Sequence, residues 1–295
     1  MSARDAQLPI EVAIQRADRT ERRLLLLLFA PALLFVSLFL ILPVLVLVYQ
    51  SFFETGQFSL VNYVRIATED IYWRTFYATF EISALVTLAS ILLGFPVAYL
   101  AARVSPGWSA FILSLVMLPF WTSVLVRTYA WLVVLQRTGI VNAFLTSSGI
   151  VSEPLQLSHN YFATFLGMLH IMLPFMIFPL YASISKIPPE LLQAGASLGG
   201  SGTYVFLRIV LPLVMPGMLA GAVLVFVLCL GFYLTPELLG GGKVILVSML
   251  VQRNVDLYHQ FGAASAVGVV LLLLVVLIFW SIDRLWPIER VLGSR

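Results

Sequence analysis

The sequence predicts an all-α membrane protein: six transmembrane helices, with a short amphiphilic helix between the fourth and the fifth. Three observations lead there. Of 295 residues, 61% are hydrophobic and only 11% are charged, whereas soluble domains carry about 25% charged residues. Mean hydropathy is +1.01. The apolar residues gather into six long runs, each near the roughly 20 residues that a helix needs to cross a bilayer core. Within the runs hydrophobicity is continuous rather than alternating, which favours helices over barrel strands.

Residues 1–23 are polar and Arg-rich, ending at Arg22 and Arg23. The first run, 24–49, outlasts the roughly 7–15 apolar residues of a signal peptide, and no small-x-small cleavage site follows it, so it reads as an uncleaved span. The remaining runs are 76–102, 108–135, 161–185, 209–234 and 261–282. Only Glu81, Arg127 and His170 place an ionisable group inside these limits. The chain therefore divides into an N-terminal segment (1–23), a first span with its outer loop (24–74), a main membrane domain (75–283) and a tail (284–295).

An even number of spans puts both termini on one side. Arg4, Arg16, Arg19, Arg22, Arg23, Arg103, Lys186, Arg208, Arg284, Arg290 and Arg295 fall on that side and form the majority of the 17 basic residues. The positive-inside rule makes that side the cytoplasm. A net charge of +3 is thus a mark of orientation rather than of nucleic-acid binding. The opposite loops, 50–75, 136–160 and 235–260, are longer than the inner turn at 103–107. Their aromatics, prolines and mixed charges suit the docking of an external partner. Cys229 is the single cysteine, so no intrachain disulfide or thiolate metal cluster can form.

The stretch 186–217 departs from everything around it. Pro188 and Pro189 favour the first turn of a helix, and Glu190 sets negative charge at the positive end of its dipole. Leu191, Leu192, Ala194 and Leu198 give an apolar face at helical spacing, and the Gly199–Gly202 run ends the helix. So short a helix needs a groove to bury that face. Small residues at Ala194, Gly195 and Ala196 allow a partner to approach closely.

This stretch resembles the EAA loop of bacterial ABC-importer permeases: an E-A-A triplet, three variable positions, a glycine, and later a hydrophobic-Leu-Pro. Gln193-Ala194-Gly195 occupies the triplet, Gly199 the glycine and Ile209-Val210-Leu211-Pro212 the distal part, with Gln for Glu and Gly for the second Ala. Leu118-Pro119-Phe120-Trp121-Thr122-Ser123, Arg127-Thr128-Tyr129-Ala130-Trp131, Leu173-Pro174-Phe175-Met176 and Pro236-Glu237-Leu238-Leu239-Gly240-Gly241 resemble the spermidine/putrescine branch of that superfamily. The resemblance covers residues 75–283 and implies the transmembrane domain of a type I importer. It implies two cytoplasmic ATPase subunits docked at Glu190, Gln193, Ala194, Gly195, Leu198 and Gly199, which make this loop a coupling helix. It also implies a second permease chain, with a heterodimer favoured, and a periplasmic substrate-binding protein. ATP and Mg would then be used by the ATPase subunits, and this chain would bind no cofactor.

Arg127 reads as an outer-interface anchor beside Tyr129 and Trp131, or as a gate. Glu81 is a cation ligand or a residue reaching the interface; Glu237 contacts the receptor or lines an outer gate; Trp121 is a pathway candidate. His170 reads as a packing residue, and Gly217 and Gly221 as a close-packing G-x-x-x-G step. Gly242-Lys243 is followed by Val244, so no phosphate loop is present, and no H-E-x-x-H signature occurs. The alternative cargoes are an opine, an amino acid-like solute or a phosphonate. The rival class is an ion-driven secondary transporter, which would want intramembrane carboxylates where only Glu81 is offered.

Overall fold

The computed structural model describes residues 8–285 except residue 55. Arg4, Arg290 and Arg295 lie outside the described residues. Helix α1 (Leu8–Ser51) carries the first apolar run and ends in a hairpin of β1 (Phe53–Glu54) and β2 (Gln57–Phe58), with Phe53 opposite Phe58. Helix α2 (Val61–Thr68) lies in the loop between the first two spans, and α3 (Asp70–Arg103) is the second span. The third run is split into α4 (Pro106–Met117), a 3-10 turn (Leu118–Trp121) and α5 (Val124–Leu135), followed by α6 (Ile140–Ser147).

The fourth span is α7 (Tyr161–Ile184), capped by Asn160, whose Oδ1 accepts the Ala163 N–H at 2.9 Å. Then come α8 (Pro189–Ser197), α9 (Gly202–Val205), a π turn (Phe206–Val210) and α10 (Leu211–Leu230). The loop after it folds into α11 (Leu234–Gly240) and α12 (Val247–Asp256) before α13 (Phe261–Leu285). Among the described residues, six helical stretches are long and apolar enough to span a membrane.

The bundle is organised around α7, 61% of whose most apolar window is buried, against none for α1. Met168, Met172, Met176, Leu180 and Ile184 recur every four residues on one α7 face and are all 1% exposed or less. Helices α3 and α10 pack on that spine. The approach of α10 needs glycine: a Cβ on Gly217 would lie 2.7 Å from the Pro179 carbonyl oxygen, and one on Gly221 would lie 2.9 Å from the Met176 sulfur. Gly94 serves α3 in the same way, with Ile177 3.2 Å from its would-be Cβ. The G-x-x-x-G step predicted for close packing performs that role. Helix α1 stands apart and packs against α13.

The structure corrects the sequence reading in two places. The third span is not one helix from 108 to 135; it breaks at Pro119, after which Thr122 and Ser123 are extended. The fifth span does not begin at 209. Its helix starts at Gly202, capped by Ser201, and widens into the π turn just before Pro212, which has no N–H to offer the ladder. It ends at Leu230, short of 234.

The loop 235–260, expected to suit the docking of an external partner, has a folded, partly buried structure of its own. It folds back into the bundle. Leu239, Leu246, Val247 and Met249 are fully buried, and the Val247 N–H donates to Thr79 Oγ1 at 2.9 Å. Thr128 and Thr235 share a hydrogen bond of 3.1 Å, and Ser248 Oγ donates to the Phe232 carbonyl at 2.8 Å. The turn between α11 and α12 runs through Gly241 and Gly242, both at positive φ.

Candidate functional site

Two places hold the predicted residues: one at α8, and one around α5, α7 and α11. Helix α8 begins where Pro188 and Pro189 set the first turn and ends in a Schellman arrangement. The Gly199 N–H donates to the Ala196 carbonyl at 2.9 Å and the Gly200 N–H to the Gly195 carbonyl at 3.1 Å, with Gly199 at φ +84°. Its sides are not equivalent. Leu192 packs against the bundle core. Gly195 faces the start of the fifth span so closely that a Cβ there would lie 2.6 Å from Ile209 Cδ1 and 3.3 Å from Val205 Cγ2. Glu190, Leu191, Gln193, Ala194 and Leu198 are exposed, Leu198 by 90%.

The single apolar face predicted from spacing is therefore two faces. Leu192 and Gly195, three apart, seat the helix on the span; Leu191, Ala194 and Leu198 are left to solvent. Leu191 and Leu198 thus leave an uncovered apolar side on a capped, anchored helix. The glycine that departs from the E-A-A triplet marks the seat, and its contact with Ile209 is a long-range fact that spacing alone does not show.

At the second place, Trp131 and His170 are paired. The indole N–H donates to His170 Nδ1 at 3.1 Å, so the remaining imidazole proton sits on Nε2. Arg127, one turn before Trp131, carries its charge close to His170, and its Nε and Nη1 are buried without hydrogen-bond partners. Tyr129 is exposed, and Trp121, on the 3-10 turn, is 88% exposed. Glu81 stands exposed on α3, near enough to Tyr161 for its charge to act on that buried hydroxyl. Glu237 on α11 meets Arg253 of α12 at 3.7 Å, and both are half-buried. The structure thus brings Arg127, Trp131 and His170 together and leaves Glu81, Trp121 and Glu237 at separate positions. Arg253 and the His170 pairing went unread because each joins segments distant in sequence. No group of three or more His, Cys, Asp or Glu able to hold a metal exists among the described residues.

The chain is a bundle of long apolar helices of the kind that crosses a membrane, with a short anchored helix at α8 and a folded-back hairpin of α11 and α12. Residues 90–287 match the family described as "Binding-protein-dependent transport system inner membrane component", and the chain belongs to that family. It is a multi-pass inner-membrane permease of the ABC-importer type. It is 33% identical over 258 residues to the spermidine/putrescine transport system permease protein PotB of Escherichia coli K12, covering 84% of this chain and 94% of that protein. PotB of Haemophilus influenzae is 32% identical over 257 residues, covering 84% and 90%. The inner membrane ABC transporter permease protein YdcU of Escherichia coli K12 is 36% identical over 227 residues, 70% of each chain.

The fold matches a chain of a bacterial ABC transporter involved in the import of the acidic polysaccharide alginate, with a TM-score of 0.69 at 20% identity, covering 92% of this chain and 97% of that one. An inward-facing methionine transporter, MetNI, matches with a TM-score of 0.54 at 18% identity, over 77% of this chain and 100% of that one. At those identities the likeness is one of fold.

Proposed function

We propose that this chain forms the translocation path of an ATP-driven polyamine importer and that α8 is the surface on which its ATPase partners dock. The observation that carries the coupling role is the two-sided α8: Leu192 and Gly195 lock it to the fifth span while Leu191 and Leu198 remain uncovered. A push on the exposed side passes through Gly195 and Ile209 into a span loosened by the π turn and by Pro212 and Pro216. Both termini and α8 are cytoplasmic in this reading, as the basic residues favour. Two ATPase subunits supply ATP and Mg chemistry, since this chain has no phosphate loop. A second permease chain, different from this one, and a periplasmic binding protein complete the assembly. The polyamine cargo is supported by the PotB relatives.

Leu198→Glu tests the docking role, because a residue 90% exposed has almost no packing to lose. The variant should insert normally, while co-purification of the ATPase and solute uptake fall about tenfold or more. Normal co-purification together with normal uptake would sink the assignment.

A further inference from the structure

Helices α4 and α5 have 12 residues each, about 18 Å of axis apiece. Only Val104 and Ser105 separate α4 from the end of α3, so α4 enters the membrane at the face where α3 leaves it. The break that follows α4 therefore lies deep within a hydrocarbon core roughly 30 Å thick. Helical order is lost there over the 3-10 turn and the extended Thr122 and Ser123. The Thr122 N–H and Oγ1 both donate to the Pro119 carbonyl, at 3.1 and 2.8 Å. Among the described residues, no donor reaches the carbonyls of Phe120, Trp121 and Thr122.

Irregular backbone at that depth is tolerated where protein buries it or where it lines a water-filled cavity, and it does not occur against lipid. This chain does not bury it: Phe120, Trp121, Thr122 and Ser123 are all exposed, Trp121 by 88%. The turn is nonetheless fixed in place, because the Phe120 ring packs on Phe175 of α7 with centroids 5.2 Å apart. Free carbonyls at the C-terminal, negative end of α4 favour a cation, and so does an uncovered indole face. An alkylammonium uses both, giving its N–H groups to carbonyls and laying its charge and methylenes on the ring. Arg127, one turn into α5, sets a like charge on the same segment. Dipoles and a π face without a carboxylate hold a cation weakly enough to let it go, as a conducting site must.

We propose that the break in the third span is a stepping site on the translocation path, where the Phe120, Trp121 and Thr122 carbonyls and the Trp121 ring hold one ammonium group of the polyamine as it crosses. The site rests on the polyamine-importer reading above and names where in the membrane that cargo is held.

The test uses the assembled importer in proteoliposomes with its own binding protein. Trp121→Leu should raise the KM for spermidine uptake about tenfold with little change in kcat or melting temperature. Trp121→Phe, which keeps a π face, should recover most of that loss. In a Cys229→Ala background, Thr122→Cys should react with a charged, water-soluble methanethiosulfonate, and spermidine at about ten times its KM should slow that reaction about tenfold. An unchanged KM in Trp121→Leu, or a Thr122→Cys reaction indifferent to spermidine, overturns the site while the importer still carries polyamine. Modification of Thr122→Cys by an apolar maleimide alone would put the break under a partner protein and overturn the site as well. A wild type that carries no spermidine would instead overturn the cargo reading, and this site with it.

Discussion

Gly195 and Gly199 sit four residues apart, yet they are glycine for different reasons. At Gly199 the backbone is left-handed, φ +84°, with open space around it. A side chain there meets no neighbour and costs about 1–2 kcal/mol of backbone strain. Asparagine tolerates that region, so Gly199→Asn should keep most activity. Gly199→Asp adds a charge beside the exposed leucines and should uncouple transport from ATP hydrolysis. At Gly195 the backbone is ordinary and the obstacle is Ile209 Cδ1. Gly195→Ala asks only that the tip of that side chain rotate, whereas Gly195→Val forces α8 off the span. We expect a loss of about 1–3 kcal/mol for Val, read as a lower melting temperature, and a fall in solute carried per ATP. Equal behaviour of Gly195→Ala and Gly195→Val would show that α8 is not seated through this contact.

At the scale of elements, the hairpin of α11 and α12 hangs on few polar contacts, and Thr79 is one that can be removed. Its hydroxyl donates to the Thr75 carbonyl at 2.7 Å and accepts the Val247 N–H at 2.9 Å, all buried. Thr79→Val keeps the shape and strands that N–H, at a cost of about 1–3 kcal/mol. Thr79→Ser should restore stability. A cysteine at position 248, in a Cys229→Ala background, should react faster in the Val variant than in the Ser variant, and equal rates would refute the pinning. That the six spans were legible in sequence follows from hydropathy being additive along a run. The break at Pro119 was hidden because its neighbours are as apolar as a helix. The hairpin was hidden because charged neighbours dilute Leu239, Leu246 and Met249, and only tertiary packing shows them buried. Helix α8 was legible because its start and stop are local signals. Which of its sides faces the bundle was not, since that depends on Val205 and Ile209 across a turn.

For the whole molecule the open matter is cargo, and charge placement frames it. A polyamine is a flexible polycation, so its path should offer carboxylates or aromatic faces and avoid uncompensated positive charge. The outer half of the chain holds both signs. Glu237 is engaged by Arg253, Glu69 and Glu54 lie near Arg65, and Asp70 meets Arg74 at 2.6 Å. Glu81 is exposed on α3 and is the one carboxylate inside the six apolar runs, which makes it the spanning candidate for an ammonium group. Arg127 lies on α5 with its Nε and Nη1 buried, and a positive charge there would repel a polycation. If the cargo is spermidine or putrescine, Glu81→Gln should raise the KM for uptake by about tenfold, the loss of one charge-assisted hydrogen bond. Glu237→Gln should act less on uptake and more on stability, because it leaves Arg253 without its carboxylate. Arg127→Gln should leave polyamine uptake intact or improve it. The measurement is uptake by the reconstituted importer with its own binding protein, run beside direct solute binding to that protein. A binding protein that ignores polyamines and takes an anionic or zwitterionic solute, together with a transport defect in Arg127→Gln rather than Glu81→Gln, would replace the polyamine assignment and leave the importer standing.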